Sequence, residues 1–210
     1  IEVPAFSIAP RSFLNWCLVK PMRWAVAGTL LGAREALRTG LAFSLTGGFH
    51  HAKAYQGEGF CLFNDIAYAI RVLQQEGQLE TVAYVDLDAH QGNGVCQIFQ
   101  QDSRVRIFDI YNDEIYPQEP QARNRLDVGL PVPSGCQDIQ YLTLLRHELP
   151  GFLEGDARPD LVIYNAGNDV LRGDLLGGLD LSPEAVLERD RFVIQQARER
   201  NLPLLFLPSG

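Results

Sequence analysis

Closely spaced cysteines are missing from this chain of 210 residues: Cys17, Cys61, Cys96 and Cys136 stand far apart, with no C-x-x-C pair. This spacing argues against a thiolate zinc knuckle or a disulfide framework and suits a reducing cytosol. No apolar run approaches the ~20 residues that a membrane-spanning helix needs, so no membrane span is expected. The start, "IEVPAFSIAPRSF", lacks the charged beginning and apolar core of a signal peptide. Basic residues are also short, 18 Lys and Arg against 26 Asp and Glu, for a net charge of −8. A surface of that sign is poorly suited to nucleic acid phosphates, so no direct nucleic acid binding is expected, although an acidic rim can attract a basic peptide or a lysine. Internal repeats and low-complexity segments are absent. What is present is a 46% hydrophobic, 21% charged composition, enough for one well-buried domain spanning 1–210. The expectation is a soluble protein of the cytoplasm, or of the nucleus if the source is eukaryotic.

Periodicity divides the chain into alternating strands and helices. Residues 22–38 carry Trp24, Ala27, Leu30, Leu31 and Leu37 at helical spacing and end at Gly40. The strand "LAFSL" follows. Asn64 then caps a helix whose Ile66, Ala69, Ile70 and Leu73 face inward and which stops at Gly77. "TVAYVDL" reads as a strand buried on both faces, followed by a helix over 93–101 and the strand "VRIFDI". A polar loop, a helix over 138–154 and the strand "LVIYNAG" come next. Ser182 and Pro183 start a helix that runs to about Arg200, and "PLLFLP" closes the series. Five strands alternating with helices imply an α/β fold, an open parallel sheet with helices on both faces. Such sheets bind ligands beyond the carboxyl ends of their strands, and polar residues gather after each apolar run here.

Two of those strand ends carry metal-ligand chemistry. "VDLDAHQGNG" sets Asp86, Asp88 and His90 at alternate positions, on one face as long as the backbone stays extended. Carboxylates and imidazole suit Zn²⁺, and Asp169 in "NAGNDVLRGD" would complete three protein ligands with a position left for water. Taken alone, the same run is equally a polar strand end that caps the next helix. The tandem "FHHA", His50 and His51, is by itself more often a pair of satisfied structural imidazoles. The coincidence of both patterns at neighbouring strand ends favours a catalytic site. Asp86 is then free to accept a hydrogen bond from one imidazole, while the other carries a proton for a metal-activated water.

"GGFHHA", "GFCLFND", "VDLDAHQGNG" and "NAGNDVLRGDLLGGLDLS" together resemble the zinc-dependent histone deacetylase family, which has the arginase/deacetylase fold. The Q-G-N-G ending, "IFDIYNDEIYP" and "GDLLGGLDLSPE" look most like its class IV branch. The resemblance implies removal of an acetyl or longer acyl group from lysine in a protein or peptide, or from an acylated small amine. It assigns zinc to Asp88, His90 and Asp169, the general base and later acid to His51, an electrostatic role to His50, and the carboxylate behind His50 to Asp86. Gly59 and Phe60 would form one wall of the substrate tunnel and Tyr111 the opposite wall. A structural K⁺ would be held by Asp86, Asp88, His90, Asp109 and Ile110.

Two departures from the family pattern stand out. Asn93 occupies the place of an aspartate behind His51, so it can orient the ring but brings no charge. The chain also begins after the family's first strand and ends at "LPSG", before the segment bearing its oxyanion-stabilising tyrosine. The expectation is therefore a partial domain, with a catalytically inactive acyl-lysine-binding domain as the alternative if that segment is absent. A binuclear manganese ureohydrolase is a further rival, but it needs a carboxylate where Gly92 stands.

Overall fold

Residues 10–155 and 158–210 are described by the structure, a computed structural model; most of the amino-terminal stretch quoted above, residues 1–9, lies outside them. Four-residue α1 (Arg11–Leu14) and a π-helical turn (Asn15–Val19) lead into α2 (Lys20–Thr39) and β1 (Leu41–Phe43). Then follow α3 (Asp65–Gln75), β2 (Val82–Asp86), α4 (Asn93–Ile98), β3 (Val105–Asn112), α5 (Pro120–Arg123) and β4 (Val128–Val132). The series ends with α6 (Asp138–Glu154), β5 (Leu161–Gly167), α7 (Pro183–Glu199) and β6 (Leu204–Ser209).

The six strands form one parallel sheet in the order β1-β6-β5-β2-β3-β4. Strand alternation explains its two cores. In β2, Ala83 and Val85 pack with Leu145 and Leu149 of α6 and Val193 of α7, whereas Val82 and Tyr84 pack with Ala33 of α2 and Ile66 and Ile70 of α3. The fully buried Ile66, Ile70 and Leu73 contribute about 1.5–3 kcal/mol each. The expected caps are in place: Asn64 Oδ1 accepts from Ala67 N at 2.9 Å, and Ser182 Oγ accepts from Ala185 N at 3.1 Å.

The five-strand expectation needs correction. β4, "VGLPV", lies within the stretch read as a polar loop, and its Gly129 and Pro131 hide a strand from any propensity argument. A single partner, β3, leaves β4 at the sheet edge, where a proline is tolerated. The helix expected over 93–101 is also shorter, ending at Ile98.

Before the amino-terminal end of β3, Asp102 closes the α4–β3 turn by accepting from Arg104 Nε at 2.9 Å and from Arg71 Nη1 at 2.5 Å. The Arg104 hydrogen bond, against partial burial and with help from Arg71, holds its carboxyl well below the usual range. A depressed folded-state value stabilises the fold above about pH 4 and loses that contribution as pH falls through the folded value. Asp102→Asn should therefore lower stability by about 1 kcal/mol at neutral pH. Urea midpoints measured from pH 7 down to pH 2 should show the two proteins converging in acid. A gap that stays constant would reject the linkage.

Candidate active site

The two histidines sit on a loop held from below by α3. Asp65, the first residue of that helix, accepts from Phe49 N at 2.7 Å, Gly48 N at 3.1 Å and Thr29 Oγ1 at 2.5 Å. Gly48 has φ +82°, and a Cβ there would meet Asn165 Oδ1 and Ser209 Cβ at 2.6 Å, so the loop can pass between strand ends only as glycine. His50 and His51 follow at 3% and 6% exposure.

Each imidazole has its own backing. His50 Nδ1 donates to Asp86 Oδ2 at 2.7 Å, and that oxygen also accepts from Tyr84 Oη at 2.6 Å. Asp86 Oδ1 accepts from Asn165 Nδ2 at 3.0 Å. His51 Nδ1 faces Asn93 Oδ1 at 2.8 Å, and the two Nε2 atoms lie 3.0 Å apart. Burial works against charge on His50, but Asp86 and Asp88 outweigh it and hold the imidazolium well above its ordinary range. His51 is pushed down to about 2 by burial and then by the charge on His50. The pair therefore splits into one charged and one neutral ring.

Asp88, His90 and Asp169 converge beside them, one donor atom from each lying within 4.8 Å of the others. β2 ends at Asp86, so bends carry Asp88 and His90 into place; the three alternate residues do not share an extended strand. Asp169 comes from beyond β5, the neighbour of β2. His90 Nδ1 lies 2.7 Å from Asp169 Oδ2 and 3.2 Å from Asp88 Oδ1. Zinc with ligand bonds near 2.0–2.1 Å places tetrahedral donors about 3.4 Å apart, so the set fits such an ion with small adjustments. Asp109, assigned above to a monovalent cation, is fully buried. Its Oδ2 accepts from Gly92 N at 3.0 Å, while Oδ1 has no hydrogen-bond partner among the described residues. Burial, reinforced by Asp86, raises its carboxyl well above the usual range, an environment that a cation would relieve. Ile110 lies beside it, inside β3.

These groups form the base of a pocket of about 510 Å³, lined by His50, His51, Asp88, His90 and Asp169 with Gly59, Phe60, Tyr116 and Leu176 around them. Gly59 packs so closely that a Cβ would meet the His51 ring at 2.4 Å. Phe60 has φ +61°, a conformation that is costly for an aromatic residue and that leaves it 65% exposed as one wall. Tyr111 is not the opposite wall. It is buried within β3, with the Arg123 guanidinium over its ring. The tyrosine that does line the pocket is Tyr116, whose ring centroid lies 5.1 Å from that of His51.

The histone deacetylase domain family matches residues 10–210. This chain belongs to the histone deacetylase family. It is 42% identical over 209 residues to histone deacetylase 2 of Arabidopsis thaliana, covering all of this chain and 54% of that protein. It is 41% identical over 186 residues to an uncharacterized protein of Picosynechococcus sp., covering 89% and 61%. The chain thus spans 54% and 61% of the length of these two relatives. Among solved structures, an HDAC homolog complexed with SAHA superposes with a TM-score of 0.77 at 26% identity, covering 89% of this chain and 51% of that one. An HDAC homolog from Aquifex aeolicus gives 0.78 at 25%, covering 91% and 53%. The open parallel sheet is the histone deacetylase fold.

Besides Tyr116, four residues around the site are not evident from the sequence. Tyr84 stands two positions before Asp86 on the same strand face and was within reach of an alternation argument. Asn165 and the carboxylates Glu58 and Glu119 approach only through tertiary structure.

Proposed function

We propose that this chain carries the active site of a zinc-dependent deacylase that removes an acetyl or longer acyl group from lysine side chains. The supporting observation is the meeting, at the bottom of one pocket, of a three-donor metal cluster and two imidazoles with unlike backing. Zinc held by Asp88, His90 and Asp169 would supply Lewis acidity to the acyl carbonyl and to water. His51, neutral and lining the pocket with Nε2 beside His50 Nε2, accepts the proton of the attacking water and returns it to the leaving amine. His50 keeps positive charge beside the negative charge that develops, and Asp86 fixes its ring. Phe60 and Tyr116 offer apolar faces to the lysine methylenes between them.

A structural K⁺ near Asp109 belongs to the same proposal, supported by the unpartnered buried Oδ1. The Q-G-N-G motif favours the class IV branch and with it long acyl chains as well as acetyl. All four cysteines are unpaired, which accords with a reducing, cytoplasmic setting. A ureohydrolase would need a carboxylate at position 92, where an added Cβ would meet Asp86 Oδ2 at 2.6 Å.

The test is turnover by the full-length protein. Zinc-loaded enzyme should release acetate or myristate from acyl-lysine peptides, lose turnover to a chelator and recover it with Zn²⁺. SAHA, the compound bound to the homolog above, should inhibit it. Binding of acyl-lysine without turnover would instead identify a binding domain, and turnover confined to an acylated polyamine would move the substrate to small amines. Two manganese ions per chain would overturn the zinc assignment.

A further inference from the structure

Asn93 does more than face His51. Its Nδ2 donates to two carboxylate oxygens, Glu58 Oε1 and Glu119 Oε1, each at 3.0 Å. Both acids are tied in turn to Lys53: Nζ lies 2.8 Å from Glu58 Oε2 and 2.7 Å from Glu119 Oε1. Tyr116 Oη donates to Glu58 Oε1 at 2.6 Å, which joins the pocket wall to the same cluster. The Glu58 backbone is fixed as well, since its N donates to Cys61 O at 2.9 Å and its O accepts from Cys61 N at 2.8 Å. Two carboxylates and one ammonium leave a net negative charge directed at the Asn93 amide.

The chemistry of these groups gives the chain of hydrogen bonds a direction. An ionised carboxylate can only accept, so the Asn93 amino group must point to Glu58 and Glu119 and its oxygen to His51. Burial disfavours charge on Glu58, but the hydrogen bonds from Lys53, Tyr116 and Asn93 overcome it and keep the carboxyl below its ordinary range, in the accepting form. Facing an oxygen, His51 Nδ1 must carry the proton, which leaves the Nε2 lone pair toward the pocket and toward His50 Nε2. Without the two acids only the His50 Nε2–H, 3.0 Å from His51 Nε2, would oppose an Asn93 amide turned with its amino group to His51.

We propose that Glu58 and Glu119 are positioning residues that lock the Asn93 amide and thereby hold His51 in the Nδ1–H tautomer required of a proton acceptor at Nε2. The proposal rests on the role given above to His51. It also accounts for asparagine at 93, because an aspartate there would bring a third carboxylate against two others that share a single lysine.

Long-range ¹H–¹⁵N spectra of the zinc-loaded, full-length protein test the tautomer without any substrate. Wild type should show His51 as Nδ1–H, and the E58A/E119A double variant a mixture or the reverse form. In that variant kcat should fall about tenfold, an effect of the size seen when hydrogen-bond partners behind site ligands are lost. A variant whose His51 remains wholly Nδ1–H overturns the proposal. If wild type turns over no acyl-lysine, the deacylase assignment fails while the tautomer result still decides this one. Should the alanine variant not fold, Asn93→Asp provides a second measurement. It should lower Tm in the wild-type background and be rescued in E58Q/E119Q, where each glutamine amide can donate to the new carboxylate. Equal Tm shifts in the two backgrounds would show that the acids do not hold residue 93.

Discussion

His51→Ala is expected to lower the kcat of deacylation by about 10²–10⁴-fold, the usual worth of a positioned general acid–base, with zinc content and thermal stability close to wild type. The size of the effect follows from the division of labour in the pocket. His50 is held as a cation by Asp86 and Asp88 and has no lone pair to offer. His51, pushed down to about 2 by burial and by the charge on His50, stands neutral around neutral pH. It takes a proton only as negative charge develops beside it. In the proposed zinc site His90 and the two aspartates would hold the metal, so no other imidazole in the pocket could replace it. The fold should survive because His51 lines the pocket and its removal enlarges a space already open to water. Single-turnover rates alongside metal analysis provide the check. A variant that keeps more than a tenth of the wild-type rate would remove His51 from the proton path.

Much of this site is legible in the sequence because its candidate ligands are clustered in short motifs at the ends of apolar runs. Asp86, Asp88 and His90 fall within five residues, and Asp169 follows the next strand in the sheet, so local chemistry plus the parallel-sheet rule sufficed to bring them together. Tyr111 shows where that logic fails. The apolar pattern ends at Ile110, but the strand continues to Asn112, which buries Tyr111 in the sheet and leaves Tyr116, after a further turn, to line the pocket. β4 was missed for the opposite reason, since its pairing with β3 overrides the poor strand propensity of Gly129 and Pro131. Glu58 and Glu119 are 61 residues apart and meet only at Asn93 and Lys53, a juxtaposition with no local signal.

Arg189 did leave a signal in the sequence, a cation in line with the inward-facing Ala185 and Val193 of α7, and it carries the largest expected stability effect. Its side chain is wholly buried, and Nη1 donates to Leu87 O at 3.0 Å and to Gly167 O at 2.7 Å, while Nε donates to Asp190 Oδ1 at 2.9 Å. One carbonyl belongs to the residue before Asp88 and the other lies two positions before Asp169, so the guanidinium fastens together the two strand ends that supply the metal cluster. Arg189→Ala removes both donors and opens a cavity, and should cost about 3–5 kcal/mol, a large part of the 5–15 kcal/mol typical of a domain. Arg189→Met restores most of the volume but neither donor, and should remain at least about 1 kcal/mol below wild type because two buried carbonyls lose their partner. Lysine keeps the charge without the planar fork and can satisfy the carbonyls only in part. Denaturant midpoints rank the three variants, and zinc competition should show affinity falling in the same order as the ends of β2 and β5 loosen. If the alanine variant loses stability with zinc affinity unchanged, Arg189 supports the core alone and Asp88 and Asp169 are held by other contacts.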